Sequence, residues 1–366
     1  MTEILSGRIK SIDVFRGITM FFLIGEFTEL FELIPHDPAT DGSFISVLGR
    51  QLHHHPWNGL RFWDLVQPFF MFIVGLSLPF AIKNRIKKGN TPKQIFLHVL
   101  KRSAILLFLG WALYCVGNGM ITTYFQNVLA QIGITYMIAY LIMKRTYTFQ
   151  ILFSIGLLIL ADALYLFFPV QGFNHPFILG ENFGTWFDSL YGGADLGGGW
   201  SSFNAIPTAA HTIWGVLVGK LLLDKKPASK KLKQLLVIGM ALVVAGYLMD
   251  PLVPIIKRIA TSSFVIVSGG WAILIMAFLY WLIDIKKIDG KWTLFFTVVS
   301  MNSLFIYLFA HLNGGMLIEE ILHPFTNALF GLVRELTTGI ITSILVWASL
   351  WGLCYWMYKK QLFIKI

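Results

Sequence analysis

The stretch LRFWDLVQPFFMFIVGLSLPFAI (60–82), KNRIKKGNTPKQ (83–94), IFLHVLKRSAILLFLGWALYCV (95–116) decides the fold class of this chain. Two apolar runs flank a short basic loop. A helix needs roughly 20 apolar residues to cross the hydrocarbon core of a bilayer. Lipid offers no partner for an unpaired backbone amide, so each run is expected to be helical. The stretch therefore predicts two membrane-spanning helices joined by a loop on one side of the membrane.

The same pattern repeats along the whole sequence. We predict an all-α integral membrane protein with about ten transmembrane helices, forming a single transmembrane domain over residues 1–366. The predicted spans are 12–34, 60–82, 95–116, 125–143, 149–168, 203–223, 232–250, 262–283, 292–311 and 337–357.

Composition supports this class and excludes others. Of 366 residues, 56% are hydrophobic and only 13% are charged, about half the charged share of a soluble domain. The lipid bilayer is thus an expected partner. A net charge of +10 can indicate nucleic-acid binding, but the charges lie in short loops between apolar runs, so no nucleic acid is expected. Cys115 and Cys354 lie within apolar runs, which favours neither a disulfide framework nor a thiolate metal site.

Lysine and arginine predict the orientation, because they are enriched in cytoplasmic loops. With both termini inside (N-in/C-in), 24 of the 29 Lys and Arg residues fall on the inner side. The five outer ones are Arg50, Arg61, Lys257, Arg258 and Arg334. Residues 314–335 are expected to form an amphipathic helix at the outer interface. As an eleventh span they would place Lys359 and Lys360 outside, against the charge rule.

The densest group of reactive side chains is His53-His54-His55-Pro56-Trp57-Asn58-Gly59, followed by Asp64. A histidine can take up a proton near neutral pH and return it to a leaving group. A carboxylate shortly afterwards can hydrogen-bond one ring nitrogen and stabilise the imidazolium. Two other interpretations stand beside this one. The loop can simply be solvated, or the three histidines can bind a metal. Consecutive side chains diverge and no second ligand cluster accompanies them, so no metal is expected.

A second candidate site lies at the start of the first span. Asp13 and Arg16 are three residues apart and share a helix face, so they form either a structural ion pair or part of a binding site. On the functional interpretation, Arg16 together with Lys101 and Arg102 receives an anionic ligand on the inner side, since Arg and Lys suit phosphates. Ionisable and polar groups at membrane depth, such as Glu26 and Asn302, are costly and are therefore functional candidates too.

Two motifs resemble a known family. Ser11-Ile12-Asp13-Val14-Phe15-Arg16-Gly17 is similar to the opening signature of the transmembrane heparan-α-glucosaminide N-acetyltransferases and their bacterial homologues. The run from His54-His55-Pro56-Trp57-Asn58-Gly59 to Asp64-Leu65-Val66-Gln67-Pro68 resembles that family's second signature. Weaker matches extend the resemblance over nearly the whole chain.

The resemblance implies an enzyme, a membrane acyltransferase that uses acetyl-CoA as donor substrate. It implies His54 as the active-site histidine and Asp64 as its carboxylate partner. Phe27 stands where the family often has Asn, which leaves the acceptor open. We expect the substrate to be bound by Trp57, Asn58, Glu26 and Asn302, and acetyl-CoA to be bound by Arg16, Lys101 and Arg102.

The predicted function is acetyl transfer from cytoplasmic acetyl-CoA to the amine of a glucosamine-like amino sugar or glycan on the outer side of a bacterial inner membrane. One alternative is an amino-sugar transporter without chemistry, because buried charges also mark transport paths. Another is a sugar O-acetyltransferase. The sequence does not distinguish direct transfer from an acetyl-histidine intermediate, and it leaves a homodimer open.

Overall fold

A computed structural model describes residues 9–33, 42–195, 198–331 and 335–364. Arg8, Arg334 and Lys365, which contributed to the charge count, lie outside the described residues. The helices, numbered in chain order, are α1 (Lys10–Gly25), α2 (Leu30–Leu33), α3 (Phe44–Gln51), α4 (Val66–Lys87), α5 (Pro92–Gly117), α6 (Val128–Ile142), α7 (Tyr147–Leu166), α8 (Phe183–Ser189), α9 (Ala205–Leu223), α10 (Ala228–Met249), α11 (Ser262–Leu279), α12 (Lys291–Met301), α13 (Ser303–Phe309), α14 (Gly315–Phe330) and α15 (Glu335–Lys359).

Eight helical segments within the described residues are long and apolar enough to cross a membrane. They are Phe62–Lys87, Pro92–Gly117, Tyr147–Leu166, Ser202–Leu223, Ala228–Met249, Ser262–Ile285, Ser303–Phe330 and Glu335–Lys359. The helix Val128–Ile142 is apolar but shorter. The chain is thus a multi-pass membrane protein, as expected. The count of ten or eleven spans and the N-in/C-in orientation stay predictions.

The chain divides into two compact units. The terminal unit comprises Met1–His54, Arg61–Val66 and Leu279–Ile366, and the central unit comprises His55–Leu60 and Gln67–Phe278. The prediction of one domain over 1–366 stays a prediction.

Close helix packing through glycine organises the central unit. A Cβ atom at Gly75 of α4 would lie 1.9 Å from the carbonyl oxygen of Thr212 of α9. A Cβ atom at Gly215 of α9 would lie 2.1 Å from the carbonyl oxygen of Phe72 of α4. Small residues let helix backbones approach each other in a membrane, where the hydrophobic effect does not drive helices together. These two glycines therefore determine how closely α4 and α9 pack.

A buried carboxylate joins several side chains and a backbone amide of the central unit. Asp188 of α8 is fully buried and accepts hydrogen bonds from Gln126 Nε2 (3.0 Å), the Tyr191 hydroxyl (2.5 Å) and the Ser202 amide (2.9 Å). Burial, and then the bond to the Asp188 carboxylate, raises the pKa of the Tyr191 hydroxyl. The Tyr191 hydroxyl therefore stays protonated across the physiological pH range and continues to donate its hydrogen bond to Asp188.

The terminal unit corrects the predicted span 12–34. Helix α1 ends at Gly25 and a 3₁₀ turn, Glu26–Thr28, follows. Glu29 then adopts the left-handed region with φ 59°. The reason is tertiary: the Phe27 carbonyl lies against Gly315, where a Cβ atom would be only 2.2 Å from it. The chain turns here to meet α14 instead of continuing as a helix.

The predicted span 292–311 is also interrupted. Asn302 has φ −123° and ψ 32° and separates α12 from α13. A π-helical segment, Ala310–Gly314, then leads into α14. The helical segment 303–330 is long and apolar enough to cross a membrane, so its later half overlaps the amphipathic helix expected over 314–335. The interfacial position of that helix stays a prediction.

Candidate active site

His54 and Asp64 form a hydrogen-bonded pair in the terminal unit. Nδ1 of His54 lies 3.1 Å from Oδ1 of Asp64. A carboxylate is an acceptor only, so Nδ1 carries the hydrogen and donates it. The tautomer fixed in this way leaves the lone pair on Nε2. Nε2 is therefore the nitrogen that can take a proton or attack a carbon.

The chain holds Asp64 rigidly. Asp64 is the third residue of a 3₁₀ turn, Phe62–Leu65, and its Oδ2 accepts the Arg61 backbone N–H at 2.9 Å. The Arg61 guanidinium in turn donates to the His54 carbonyl at 3.1 Å. Only 1% of Asp64 is exposed, whereas 32% of the His54 side chain is exposed. A buried, doubly engaged carboxylate therefore orients a ring that remains accessible.

Glu26 lies on the other side of the imidazole ring. Its Oε1 is 3.9 Å from Nε2 of His54 and accepts the indole N–H of Trp63 at 3.4 Å. Trp63 is 2% exposed, so it is a fixed donor, while the Glu26 side chain is 42% exposed. A second carboxylate thus stands beside the reactive nitrogen, where it can bind a cationic substrate group.

This arrangement has the elements of acid–base or nucleophilic catalysis. A buried carboxylate sets the histidine tautomer and stabilises the imidazolium that forms after proton transfer. The accessible Nε2 is the base or nucleophile. His54 contacts Asp64 through Nδ1 and faces Glu26 through Nε2. Asp64 is close to His54 in the sequence, whereas Glu26 lies 28 positions before it.

The two neighbouring histidines have contacts of their own. In the terminal unit, Nε2 of His53 is hydrogen-bonded to the Phe31 carbonyl and Nδ1 lies 3.5 Å from Glu32. In the central unit, the His55 ring packs under Gly59, where a Cβ atom would lie 2.5 Å from it. Among the residues that the structure describes, no group of three or more His, Cys, Asp or Glu side chains is placed to hold a metal ion.

Trp57 and Asn58, the predicted substrate contacts of the second signature, are bound to the backbone of the central unit. The Trp57 indole donates to the Phe177 carbonyl at 2.6 Å. Asn58 forms an isolated antiparallel bridge with Ile256, and the Gly59 amide donates to the Ile255 carbonyl at 2.8 Å. These bonds give the signature a structural role. Substrate binding by Trp57 and Asn58 stays a prediction.

Asn302, also predicted to bind substrate, is buried and engages the C-terminal segment. Its Nδ2 donates to the Leu362 carbonyl and its Oδ1 accepts the Ile364 amide, each at 3.0 Å. Both ends of the amide thus hold the chain beyond α15 against the break between α12 and α13. This is a structural role, and a substrate contact by Asn302 stays a prediction.

Arg16 lies apart from His54 within the terminal unit. Its Nη1 is 3.8 Å from Oδ1 of Asp13, which is 6% exposed. Glu26 is ten residues further along the chain, which corresponds to about 15 Å along the α1 axis. Arg16 therefore does not belong to the His54–Asp64–Glu26 cluster.

Lys101 and Arg102 lie on α5 of the central unit. The structure places two further basic residues near Arg102, His98 and Arg85, which were not predicted to belong to a site. The Arg102 guanidinium stands 5.0 Å over the Tyr136 ring, and its buried Nε has no acceptor among the described residues. His98 is one turn before Arg102, and its Nε2 lies 2.5 Å from Nη2 of Arg85 of α4. In the sequence, the i, i+4 spacing of His98 and Arg102 indicates that the two side chains are neighbours on one helix face. These basic groups form a candidate site for an anion.

Comparisons with known proteins support the resemblance seen in the signatures. No protein-family model matches the chain. The heparan-α-glucosaminide N-acetyltransferase of Homo sapiens is 26% identical over 142 residues, 37% of this chain and 19% of the relative. The protein of the same name from Mus musculus is 24% identical over 141 residues, 36% of this chain and 19% of the relative. The chain therefore matches about a fifth of the length of these relatives. Both are N-acetyltransferases by name, so the resemblance of this chain to the heparan-α-glucosaminide N-acetyltransferase family is confirmed.

Proposed function

We propose that the chain transfers an acetyl group from acetyl-CoA to the amine of a glucosamine-like sugar, which is on the opposite side of a bacterial inner membrane from the donor. The observation that carries the proposal is the His54–Asp64 pair: a buried carboxylate 3.1 Å from Nδ1 leaves the ring lone pair on Nε2, the nitrogen that can act on a substrate. Similarity to two named N-acetyltransferases gives the reaction class. It does not favour a transporter or a sugar O-acetyltransferase.

The proposed reaction needs one base. The sugar amine attacks the thioester carbonyl carbon, a C–N bond forms, and Nε2 of His54 takes a proton from the nitrogen. The C–S bond breaks, CoA leaves as a thiolate, and the imidazolium returns the proton to sulfur. Asp64 stabilises the imidazolium between these two transfers. In the other route that the sequence leaves open, Nε2 first attacks the thioester and carries the acetyl group to the amine.

Glu26 is the proposed recognition group for the amine. An amino sugar is readily protonated and arrives largely as an ammonium, which a carboxylate attracts; the bound ammonium loses one proton to solvent before the neutral amine attacks the thioester. Glu26 is held by Trp63 and lies 3.9 Å from Nε2, so an ammonium bound to it is next to the base. This position is also consistent with Phe27 in place of the family's Asn, because the neighbouring residue then supplies the polar contact.

The function is tested by measuring CoA release. We expect the purified protein in detergent to release CoA from acetyl-CoA when glucosamine is added, with N-acetylglucosamine as the product. Glucose, which lacks the amine, is the matched control and should give no release above background. Uptake of glucosamine into vesicles without any acetylated product would contradict the proposal and support a transporter.

Sidedness is tested with the same reaction in membranes. Right-side-out vesicles loaded with acetyl-CoA should acetylate glucosamine supplied outside, because the charge pattern predicts that the 35–59 loop and His54 lie outside. Acetylation only when both substrates are supplied outside would contradict transfer across the membrane while leaving the enzyme activity itself in place.

Donor binding is tested at Arg102. CoA carries several phosphates, and Arg102 is a partly buried cation with an unused Nε donor. We expect Arg102→Ala to raise the KM for acetyl-CoA about ten- to hundredfold, the loss of one hydrogen bond to a charged group. The KM for the sugar should change little. Arg102→Lys should be intermediate, since it keeps the charge but not the guanidinium geometry.

Two further variants complete the donor test. Arg16→Ala is expected to act in the same direction but less strongly, because Asp13 already engages Arg16. Arg258→Ala is the matched control: its guanidinium lies 5.8 Å over the Trp200 ring and it is predicted to be on the outer side. If Arg258→Ala weakened acetyl-CoA binding and Arg102→Ala did not, the donor would enter from the outer side.

A further inference from the structure

An apolar groove lies in the central unit, and none of its lining residues is proposed for catalysis or donor binding. It has a volume of about 450 Å³ and lies between α7, α9 and α10. Its walls are aliphatic side chains, among them Ile151, Ile155, Leu217, Leu221, Ile238 and Leu242. Ile151 is 44% exposed and Ile238 is 48% exposed, so the groove is open to the surface at these residues.

Ser154 and Trp214, two polar side chains in the groove wall, already have hydrogen-bond partners. Ser154 lines the groove, accepts the Trp214 indole N–H at 3.0 Å and donates to the Ile151 carbonyl at 2.8 Å. The wall therefore offers hydrocarbon contact and no polar recognition over most of its length. Such a surface in a multi-pass membrane protein suits an acyl chain, which gains contact without leaving hydrogen bonds unmade.

One end of the groove is basic. Lys226 and Gln234 line it there, together with Tyr147. The Lys220 ammonium lies 5.3 Å over the Tyr147 ring and donates to the Arg145 carbonyl at 3.3 Å. Residues 144–147 and 220–234 contain eight Lys or Arg and a single acid, Asp224. The groove thus combines an apolar channel with a cationic end. This combination is complementary to an amphiphile that has an apolar chain and an anionic headgroup.

We propose that this groove binds an anionic phospholipid, with an acyl chain along α7, α9 and α10 and the phosphate headgroup at Lys226. Basic pockets between transmembrane helices on the cytoplasmic side are known to receive such headgroups, and the charge pattern predicts that this end of the groove lies on that side. The groove shares no lining residue with the proposed active site, so the proposal does not depend on the acetyltransferase assignment.

Asp224 moderates the cationic end. Its Oδ2 is 3.3 Å from the Lys226 ammonium, and its Oδ1 accepts the Lys225 amide at 2.7 Å. That amide, and then Lys226, lowers the pKa of Asp224, so the carboxylate is charged at neutral pH and competes with a phosphate for Lys226. Removing the charge of Asp224 should therefore strengthen lipid binding, while removing that of Lys226 should weaken it.

The test compares two lipids that differ only in headgroup charge. The full chain is purified in neutral detergent with equal amounts of phosphatidylglycerol and phosphatidylcholine of identical acyl chains, and retained lipid is measured by native mass spectrometry. Wild type should retain phosphatidylglycerol in excess. Lys226→Gln should lower the ratio of the two lipids about fivefold, the factor expected for one cation at an anionic lipid surface. Asp224→Asn should raise it.

Two controls separate groove binding from general charge. Lys93→Gln removes an exposed cation that does not line the groove and should leave the ratio unchanged. Ile238→Trp fills the groove and should lower retention of both lipids. The proposal is overturned if wild type retains the two lipids equally, if Lys226→Gln and Lys93→Gln behave alike, or if Ile238→Trp retains phosphatidylglycerol normally. Displacement of the lipid by CoA or inorganic phosphate at micromolar concentration would also overturn it, because the site would then recognise phosphate alone.

Discussion

Replacement of His54 by Ala is expected to abolish acetyl transfer while the protein still folds and binds acetyl-CoA. A positioned base contributes about 10²–10⁴-fold to a rate, and the loss is larger if Nε2 also carries the acetyl group. The fold should survive because 32% of the His54 side chain is exposed, so truncation leaves little buried cavity. The measurement is CoA release by purified variants, with acetyl-CoA binding measured separately by calorimetry.

The adjacent histidines are the matched controls. His53 is bonded to the Phe31 carbonyl and lies 3.5 Å from Glu32, and the His55 ring packs under Gly59. The histidine whose Nδ1 lies 3.1 Å from Oδ1 of Asp64 is His54. His53→Ala and His55→Ala should therefore retain substantial activity. Equal losses for all three variants would indicate a metal site or a structural loop and would contradict the role of His54.

Apolar runs predicted most of the long helices to within a few residues. The predicted spans 262–283 and 337–357 correspond to Ser262–Ile285 and Glu335–Lys359. This agreement has a physical basis, because a run of about 20 apolar residues has no stable alternative to a helix in lipid. The interruptions at Glu26 and Asn302 were not predicted. Each depends on a distant contact, Phe27 with Gly315 and Asn302 with residues 362–364, which a local pattern does not contain.

The candidate site divides in the same way. The short spacing of His54 and Asp64 predicts the hydrogen bond that the structure shows between them. The position of Glu26 beside Nε2 could not be derived, since it depends on where α1 ends and on the indole of Trp63. The groove along α7, α9 and α10 could not be predicted from the sequence either, because its walls have the same composition as any lipid-facing helix.

Replacement of Asp64 by Asn is expected to lower kcat by roughly 10²–10⁴-fold with little change in acetyl-CoA affinity. The substitution keeps the size of the side chain, so the expected loss of rate comes from the position of the hydrogen on the His54 ring. The Asn oxygen is expected to accept the Arg61 N–H in place of Oδ2, which turns the amide NH₂ toward Nδ1 of His54. Nδ1 then has to accept, and the ring hydrogen moves to Nε2. The histidine loses its lone pair at the reactive position and also the charge that stabilises its cation.

A second buried carboxylate distinguishes this effect from general destabilisation. Asp188 is fully buried and accepts hydrogen bonds from Gln126, Tyr191 and Ser202. Asp188→Asn turns an amide NH₂ toward donors and should cost about 1–3 kcal/mol of stability, seen as a lower Tm, with kcat close to that of wild type. Asp64→Asn should show the opposite pattern, a small change in Tm and a large loss of kcat. A near-normal rate for Asp64→Asn would assign Asp64 a structural role and make Glu26 the carboxylate partner of His54; Glu26→Gln would then show the loss of kcat.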